Sequence, residues 1–165
     1  MEIKGVKGHA MSNIYFPDER ITYNDLYFVC YMIERVARSI KQPNRYVVGQ
    51  IGKDGLARQL SIADTNHCLN PEQVVSDWKK EYHLENGTTD VTRVDSQFTD
   101  TIPSATQMGK VYARLIEIVS QGQDYVQSIQ DVYASPVCDI IDNYNTGAYY
   151  EPSYVQARAY QNGAF

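Results

Sequence analysis

The sequence has few cysteines and no long hydrophobic run, and each shortage excludes a class of protein. Its three cysteines, Cys30, Cys68 and Cys138, are widely spaced and odd in number, which argues against the disulfide framework of a small secreted domain. The longest uncharged apolar stretch, Leu26 to Ile33, is too short to cross a bilayer. No amino-terminal segment combines a basic region with a long apolar run. We therefore expect a cytoplasmic protein with reduced thiols and no membrane contact.

Positive charge and large apolar aromatics are also scarce. The chain has 15 Lys and Arg residues against 20 Asp and Glu residues, a net charge of −5, so nothing draws the whole molecule toward nucleic acid. It has 4 Phe and 1 Trp but 14 Tyr. Tyrosine combines an apolar ring with a polar hydroxyl, which suits interfaces and sites that are half open to water. The composition favours a protein partner over a nucleic-acid partner.

The length of 165 residues fits one domain with a short extension. Residues 1–17 have little periodicity, and we predict that they form a flexible leader. Residues 18–165 are predicted to form a single helical domain with halves 18–87 and 101–165. The connector between them, 88–100, is polar and rich in threonine and aspartate, which is typical of a loop.

The first long helix has a clear start. Thr22 and Asp25 have the spacing of a capping box, and Glu34, Arg35 and Arg38 are assigned to the polar side of the helix. The apolar stripe recurs at three- and four-residue steps through Leu26, Val29, Cys30, Ile33, Ala37 and Ile40.

Residues 45–62 fit two alternatives. Gly52 to Gly55 could turn a β-hairpin. However, Val48 and Ile51 break the alternation of a strand, whereas Leu56 and Leu60 keep a helical step. We favour two short helices here.

The remaining helix starts follow from capping residues and prolines. Asn70 precedes Pro71 in the first half. In the second half we predict helices after Ser104, Asp124, Ser135 and Pro152. The sequence contains no internal repeat. It therefore predicts an all-α bundle of about six or seven helices, with the polar connector between two helical halves.

No motif for a cofactor, a metal or a nucleophile is present. The chain lacks a phosphate-binding glycine loop and a nucleophile elbow, and Asp139 with Asp142 is interpreted as a solvated polar face. His67 and Cys68 precede a helix start, where a thiolate or anion is favoured, but packing is the simpler interpretation. We predict no cofactor and no metal.

The carboxy-terminal segment is the most suggestive candidate for a site. A tyrosine-rich surface with a few polar groups suits a nucleotide base, a peptide or a partner protein. In a catalytic interpretation Glu151 would be the acid or base, with His67 as a further candidate. The predicted ligand- or partner-binding residues are Tyr144, Tyr149, Tyr150, Tyr154 and Arg158.

One stretch carries a family resemblance. The pattern consists of residues 27–34, Tyr-Phe-Val-Cys-Tyr-Met-Ile-Glu, then Gly52, Leu56, Leu60, Ala63 and His67, then Val74 to Trp78. It resembles a group of short, uncharacterised helical proteins of bacteria. Such proteins are often encoded beside small ADP-ribosyltransferase-like proteins, in an arrangement that looks like a toxin with its antitoxin. The resemblance implies helices in the ambiguous stretch and a role in protein interaction.

Three hypotheses about function follow. The leading one is a non-catalytic protein-binding module, such as an antitoxin or inhibitor of a small bacterial toxin. The second is a small enzyme or nucleotide-binding protein with its site at the tyrosine-rich carboxy-terminal segment. The third is a structural homo-oligomer in which those tyrosines lie in a symmetric interface.

Overall fold

The computed structural model describes residues 11–165. Within that range the secondary structure consists of helices connected by loops. The helices are α1 Tyr23–Ile40, α2 Asn44–Ser61, α3 Ala63–Asn66, α4 Pro71–Glu81, α5 Ala105–Ser120, α6 Tyr125–Tyr133, α7 Pro136–Ile141 and α8 Ser153–Asn162, with a 3₁₀ turn at Ala148–Tyr150. The described residues contain no strand beyond an isolated bridge between Ser12 and Arg20. The predicted all-α bundle is confirmed. None of the helices in residues 11–165 has the length and apolarity to span a membrane.

Side-chain caps begin most of these helices. Thr22 and Ser104 each take part in a full capping box, and Asn70, Asp124 and Ser135 each accept a hydrogen bond from a backbone N–H in the first turn. Each cap satisfies a donor that has no partner inside the helix. The predicted helix starts at these five residues are confirmed.

Residues 45–61 are helical on both sides of a break at Gly52, and Ile62 follows as the C-cap, so the two-helix alternative is right and the hairpin is wrong. The kink in α2 falls at Gly52, whose φ of 71° is left-handed and suits a residue without a Cβ. Because the helix changes direction there, its apolar residues do not follow a single helical stripe.

The centre of the bundle is the crossing of α1 and α5. Gly109 of α5 has no side chain at this point, and a Cβ on it would lie 2.8 Å from the Cα of Tyr31 and 2.9 Å from its backbone nitrogen. The two helices therefore approach each other backbone to backbone. Their apolar faces form one continuous core with the helices around them.

The helices form two similar halves. Each half has a long capped helix, then two helical segments, then a short turn and a last helix with a proline at or just before its first residue. α1 packs on α2 and α4, and α5 correspondingly packs on α6 and α8, while the halves meet through α1 with α5 and α2 with α6. The halves are therefore alike in the order of their elements and in these helix contacts, although the sequence contains no recognisable repeat.

The described residues before α1 and the connector are held to the bundle by hydrogen bonds. Residues 1–10 of the predicted leader lie outside the described residues, but Asn13 is buried and donates its side-chain N–H to the carbonyl of Ser61 at 2.6 Å. In the connector, the backbone N–H of Asp95 donates to Oδ1 of Asn145 at 2.6 Å. The N–H of Thr89 donates to the carbonyl of Lys41. The connector is thus hydrogen-bonded both to the residue that ends α1 and to the turn after α7.

Candidate functional site

The carboxy-terminal tyrosines divide into an inner and an outer pair. Tyr144 and Tyr149 are buried, whereas Tyr150 and Tyr154 are 66% and 62% exposed. Tyr149 and Tyr150 are neighbours in sequence, and their rings lie 4.3 Å apart. Within the 3₁₀ turn the two side chains point in different directions, so that the Tyr149 ring enters the core and the Tyr150 ring faces solvent.

Tyr150, one of the outer pair, lines a groove between α5 and the segment before α8. We call it the carboxy-terminal groove; its volume is about 310 Å³, and it is lined by Gln107, Lys110, Val111, Arg114, Tyr149, Tyr150, Glu151, Pro152, Ser153 and Gln156. Gln156 is buried and donates its side-chain N–H to the carbonyls of Ala148 and Tyr149, at 3.0 and 3.3 Å. These bonds tie α8 to the 3₁₀ turn, so the backbone that presents Tyr150 is fixed.

The charges at this groove differ from those of the whole chain. Lys110 and Arg114 line it from α5, and Glu151 is the acidic residue of the lining. The guanidinium of Arg158 lies 5.9 Å from the ring centre of Tyr154, within the range of a cation–π contact. Two basic side chains and one acidic side chain line the groove, so its lining is basic although the chain as a whole is acidic.

Tyr144 belongs to a buried polar cluster with two residues of α1. Its hydroxyl donates to Oε2 of Glu34 at 2.9 Å, and the same oxygen accepts a bond from Nε of Arg38 at 2.8 Å. Arg38 also donates to the Tyr144 hydroxyl and to the carbonyl of Pro103. Glu34 is therefore a buried carboxylate whose charge is compensated by Arg38 and whose lone pairs are used.

A second carboxylate lies beside this cluster without such compensation. Asp142 accepts hydrogen bonds from the hydroxyl of Tyr112 at 2.7 Å, from Nδ2 of Asn44 at 3.0 Å and from Sγ of Cys138 at 3.4 Å. Asn44 donates the same amide group to Glu34 at 2.9 Å. Burial, followed by repulsion from Glu34, raises the pKa of Asp142 to about 7. Asp142 is thus an acidic group whose charge changes near neutral pH.

This environment makes stability depend on pH. A carboxyl whose pKa is raised by folding binds more protons in the folded state, so its contribution to stability is full below its unfolded pKa and is lost as the pH rises toward about 7. We expect Asp142→Asn to remove this loss. The unfolding free energy of the variant should then fall less steeply with pH than that of the wild type, by at most about 1.4 kcal/mol per pH unit. Urea unfolding between about pH 5 and pH 8 measures that slope. Asp77→Asn, at an exposed position of α4, should keep the wild-type slope, and equal slopes for all three proteins would contradict the assignment.

The two proposed catalytic residues lie on different surfaces. His67 is exposed after α3, with its ring 5.1 Å from that of Phe28, whereas Glu151 lines the carboxy-terminal groove. They share no hydrogen bond among the described residues. Burial raises the pKa of the Cys30 thiol to about 12 and that of Cys138 well above its usual range, so both are neutral thiols at physiological pH.

Sequence reasoning missed the buried polar cluster. The sequence pattern predicts Glu34 on the polar side of α1, but it is 1% exposed. The signal was present, since Glu34 lies four residues after Cys30 and three before Ala37, which puts it on the apolar stripe. The solvated-face interpretation holds for Asp139, which is exposed, and is wrong for Asp142, which is half-buried and accepts hydrogen bonds from Tyr112, Asn44 and Cys138.

The described residues contain no group of three or more His, Cys, Asp or Glu side chains placed to hold a metal ion. Comparison with known proteins found no matching family model, no similar curated protein and no similar solved structure.

Proposed function

We propose that this chain is a non-catalytic protein-binding module and that it binds its partner through the carboxy-terminal groove together with Tyr150 and Tyr154. The observation that carries the proposal is the exposure of two tyrosines, 66% and 62%, on a backbone held by the buried Gln156. Exposed tyrosines lose little conformational entropy on binding and supply large contact areas, so they are frequent hot spots of protein interfaces.

The basic side chains of the groove favour a partner segment with acidic side chains. Lys110 and Arg114 stand on one wall, and the exposed Arg158 lies beside Tyr154. A partner segment with acidic side chains and one or two apolar anchors complements such a surface in charge and shape. The groove, at about 310 Å³, admits a short segment or a few side chains of a partner.

The class of partner comes from the resemblance of residues 26–78 to proteins encoded beside ADP-ribosyltransferase-like toxins. On that basis the partner is a small bacterial toxin, and this chain acts as its inhibitor or antitoxin. Expressing the adjacent reading frame with and without this chain tests the idea through growth. A toxic neighbour whose effect the chain suppresses supports it, whereas a harmless neighbour contradicts this choice of partner.

We expect Tyr150→Ala and Tyr154→Ala each to weaken partner binding by tenfold to a hundredfold, because truncating an interface hot spot often costs about 1.4–2.8 kcal/mol. Both side chains are mostly exposed, so folding should be preserved. Titration calorimetry with the partner recovered by co-purification measures the affinities.

Phe98→Ala is the matched control, since Phe98 is a 69% exposed aromatic residue in the connector. Its affinity for the partner should equal that of the wild type. If Phe98→Ala weakened binding as much as the two tyrosine variants, or if neither tyrosine variant weakened it, the groove would not be the interface.

A further inference from the structure

The first turn of α8 lies at the carboxy-terminal groove and has unpaired backbone donors. Pro152 and Ser153 line the groove, and Pro152, the residue before the helix, supplies no side-chain cap. The N–H groups of Val155 and Gln156 both donate to the carbonyl of Pro152. Those of Ser153 and Tyr154 have no partner among the described residues. Free N–H groups at the start of a helix attract an anion.

Two cations line the same groove from the neighbouring helix. Lys110 and Arg114 are exposed and lie four residues apart on α5, so their side chains are neighbours on the helix surface. Glu151, the acidic residue of the lining, is also exposed. The excess of positive charge reinforces the preference of the α8 start for a negatively charged group.

One buried side chain of the lining keeps an unpaired acceptor. Gln156 is 1% exposed, and its Nε2 donates to the carbonyls of Ala148 and Tyr149. Turning the amide over would set its oxygen against those two carbonyls, so its orientation is fixed. Oε1 receives no hydrogen bond from the described residues. It is also not sealed in the core, unlike the unpaired Arg35 Nε, Asn44 Oδ1 and Tyr133 hydroxyl. It is therefore reached from the groove and requires an N–H or O–H group.

These groups together require an anion that carries an N–H donor beside it. Gln156 follows Ser153 by three residues, so the acceptor and the free N–H groups belong to one helical turn, with a rise of about 5 Å. The last residue of a polypeptide carries a carboxylate and an amide N–H on the same Cα atom. An acidic side chain separates its carboxylate from its own N–H by one or two further methylene groups. The terminal residue therefore fits this spacing best, and capture of a chain terminus by backbone N–H groups is a known mode of peptide recognition.

We propose, on the basis of the proposed protein interface, that the carboxy-terminal groove receives the free carboxyl terminus of the partner chain. The terminal carboxylate accepts hydrogen bonds from the N–H groups of Ser153 and Tyr154 and is attracted by Lys110 and Arg114. The N–H of the terminal residue donates to Oε1 of Gln156. The chain end thus satisfies both the free donors and the free acceptor of the first turn of α8.

Selection of random hexapeptides on the immobilised full chain tests this assignment, with one pool ending in a free carboxylate and a second pool ending in an amide. The free-acid pool should yield binders with calorimetric affinities in the micromolar to millimolar range. The amidated form of the best binder should bind at least about tenfold more weakly, because it lacks the charge. Methylating the last amide nitrogen of that binder removes the donor to Gln156 and should weaken binding by about fivefold or more.

Variants of the two cations provide a second measurement with the same peptide. Lys110→Met and Arg114→Met should each weaken binding of the free acid by about threefold to tenfold, and should change binding of the amide less. Both residues are exposed, so folding should be preserved. Lys80→Met is the matched control, since Lys80 is an exposed lysine of α4 outside the groove lining, and it should bind as the wild type does.

Three results would overturn the assignment: no free-acid peptide bound at millimolar concentration, equal affinity of the acid and the amide, or full affinity of the N-methylated peptide. If one of these occurred while Tyr150→Ala still weakened binding of the intact partner, the groove would remain the interface and only the terminal carboxylate would be wrong. If the free acids bound as expected while the tyrosine variants kept full affinity for the partner, the carboxylate site would stand and the proposed interface would be wrong.

Discussion

Replacing Arg38 by alanine is expected to destabilise the protein by about 3–5 kcal/mol, the cost of leaving a buried charge without its partner. The carboxylate of Glu34 is 1% exposed, and Nε of Arg38 lies 2.8 Å from it. The substitution also removes the bonds from Arg38 to the Tyr144 hydroxyl and to the Pro103 carbonyl. A loss of this size is a large part of the stability of a small domain. Urea unfolding followed by circular dichroism measures it.

Arg35→Ala provides the control on the same helix. Arg35 pairs with Glu72 at 2.6 Å, but these side chains are 34% and 70% exposed, and exposed pairs contribute about 0–1 kcal/mol. A double variant, Glu34→Gln with Arg38→Ala, should recover part of the loss because it removes the unpaired charge. If Arg35→Ala and Arg38→Ala cost the same, the buried pair would have no special role in stability.

The second large effect is expected at the crossing of α1 and α5. In Gly109→Ala the new Cβ would lie 2.8 Å from the Cα of Tyr31 and 2.9 Å from its nitrogen. These are backbone atoms, so no side-chain rotation relieves the clash, and the helices must separate. We expect a loss of about 1–3 kcal/mol, the usual cost of overpacking a core, measured as a lower urea midpoint.

Gly49→Ala should shift stability in the opposite direction. Gly49 lies inside α2 with nothing within 4 Å of its Cβ position, so alanine should add about 0.4–1 kcal/mol by restricting the unfolded chain. The two substitutions are chemically identical, and opposite signs would show that the difference comes from contact with Tyr31. A neutral or stabilising Gly109→Ala would contradict the close crossing.

The helices could be predicted from the sequence because their signals are local. A capping box joins residues three apart, such as Thr22 and Asp25, and an apolar stripe can be recognised within a few turns. The buried polar cluster could not be predicted in this way, because Tyr144 reaches Glu34 across 110 positions and Asn44 reaches Asp142 across 98.

The tyrosines illustrate the same limit within a single segment. Tyr149 and Tyr150 are adjacent, and nothing in the sequence distinguishes them, yet one is buried and the other is exposed. Their separation depends on a 3₁₀ turn whose position is set by Gln156, a residue that anchors the turn from α8. The carboxy-terminal segment could be nominated from its composition, but its division into core and surface needed the fold.

The two halves of the bundle have the same order of elements, but they differ in the residues at the crossing of α1 and α5. Counted from the caps Thr22 and Ser104, Tyr27 stands in α1 where Gly109 stands in α5, so a second α1 could not approach as closely as α5 does. Two identical halves on separate chains would associate as a homodimer, and the extent of that association would depend on the protein concentration. Unlike halves on one chain meet at the fixed effective concentration that the connector imposes. The central interface between α1 and α5 is therefore intramolecular, and its formation does not depend on the protein concentration.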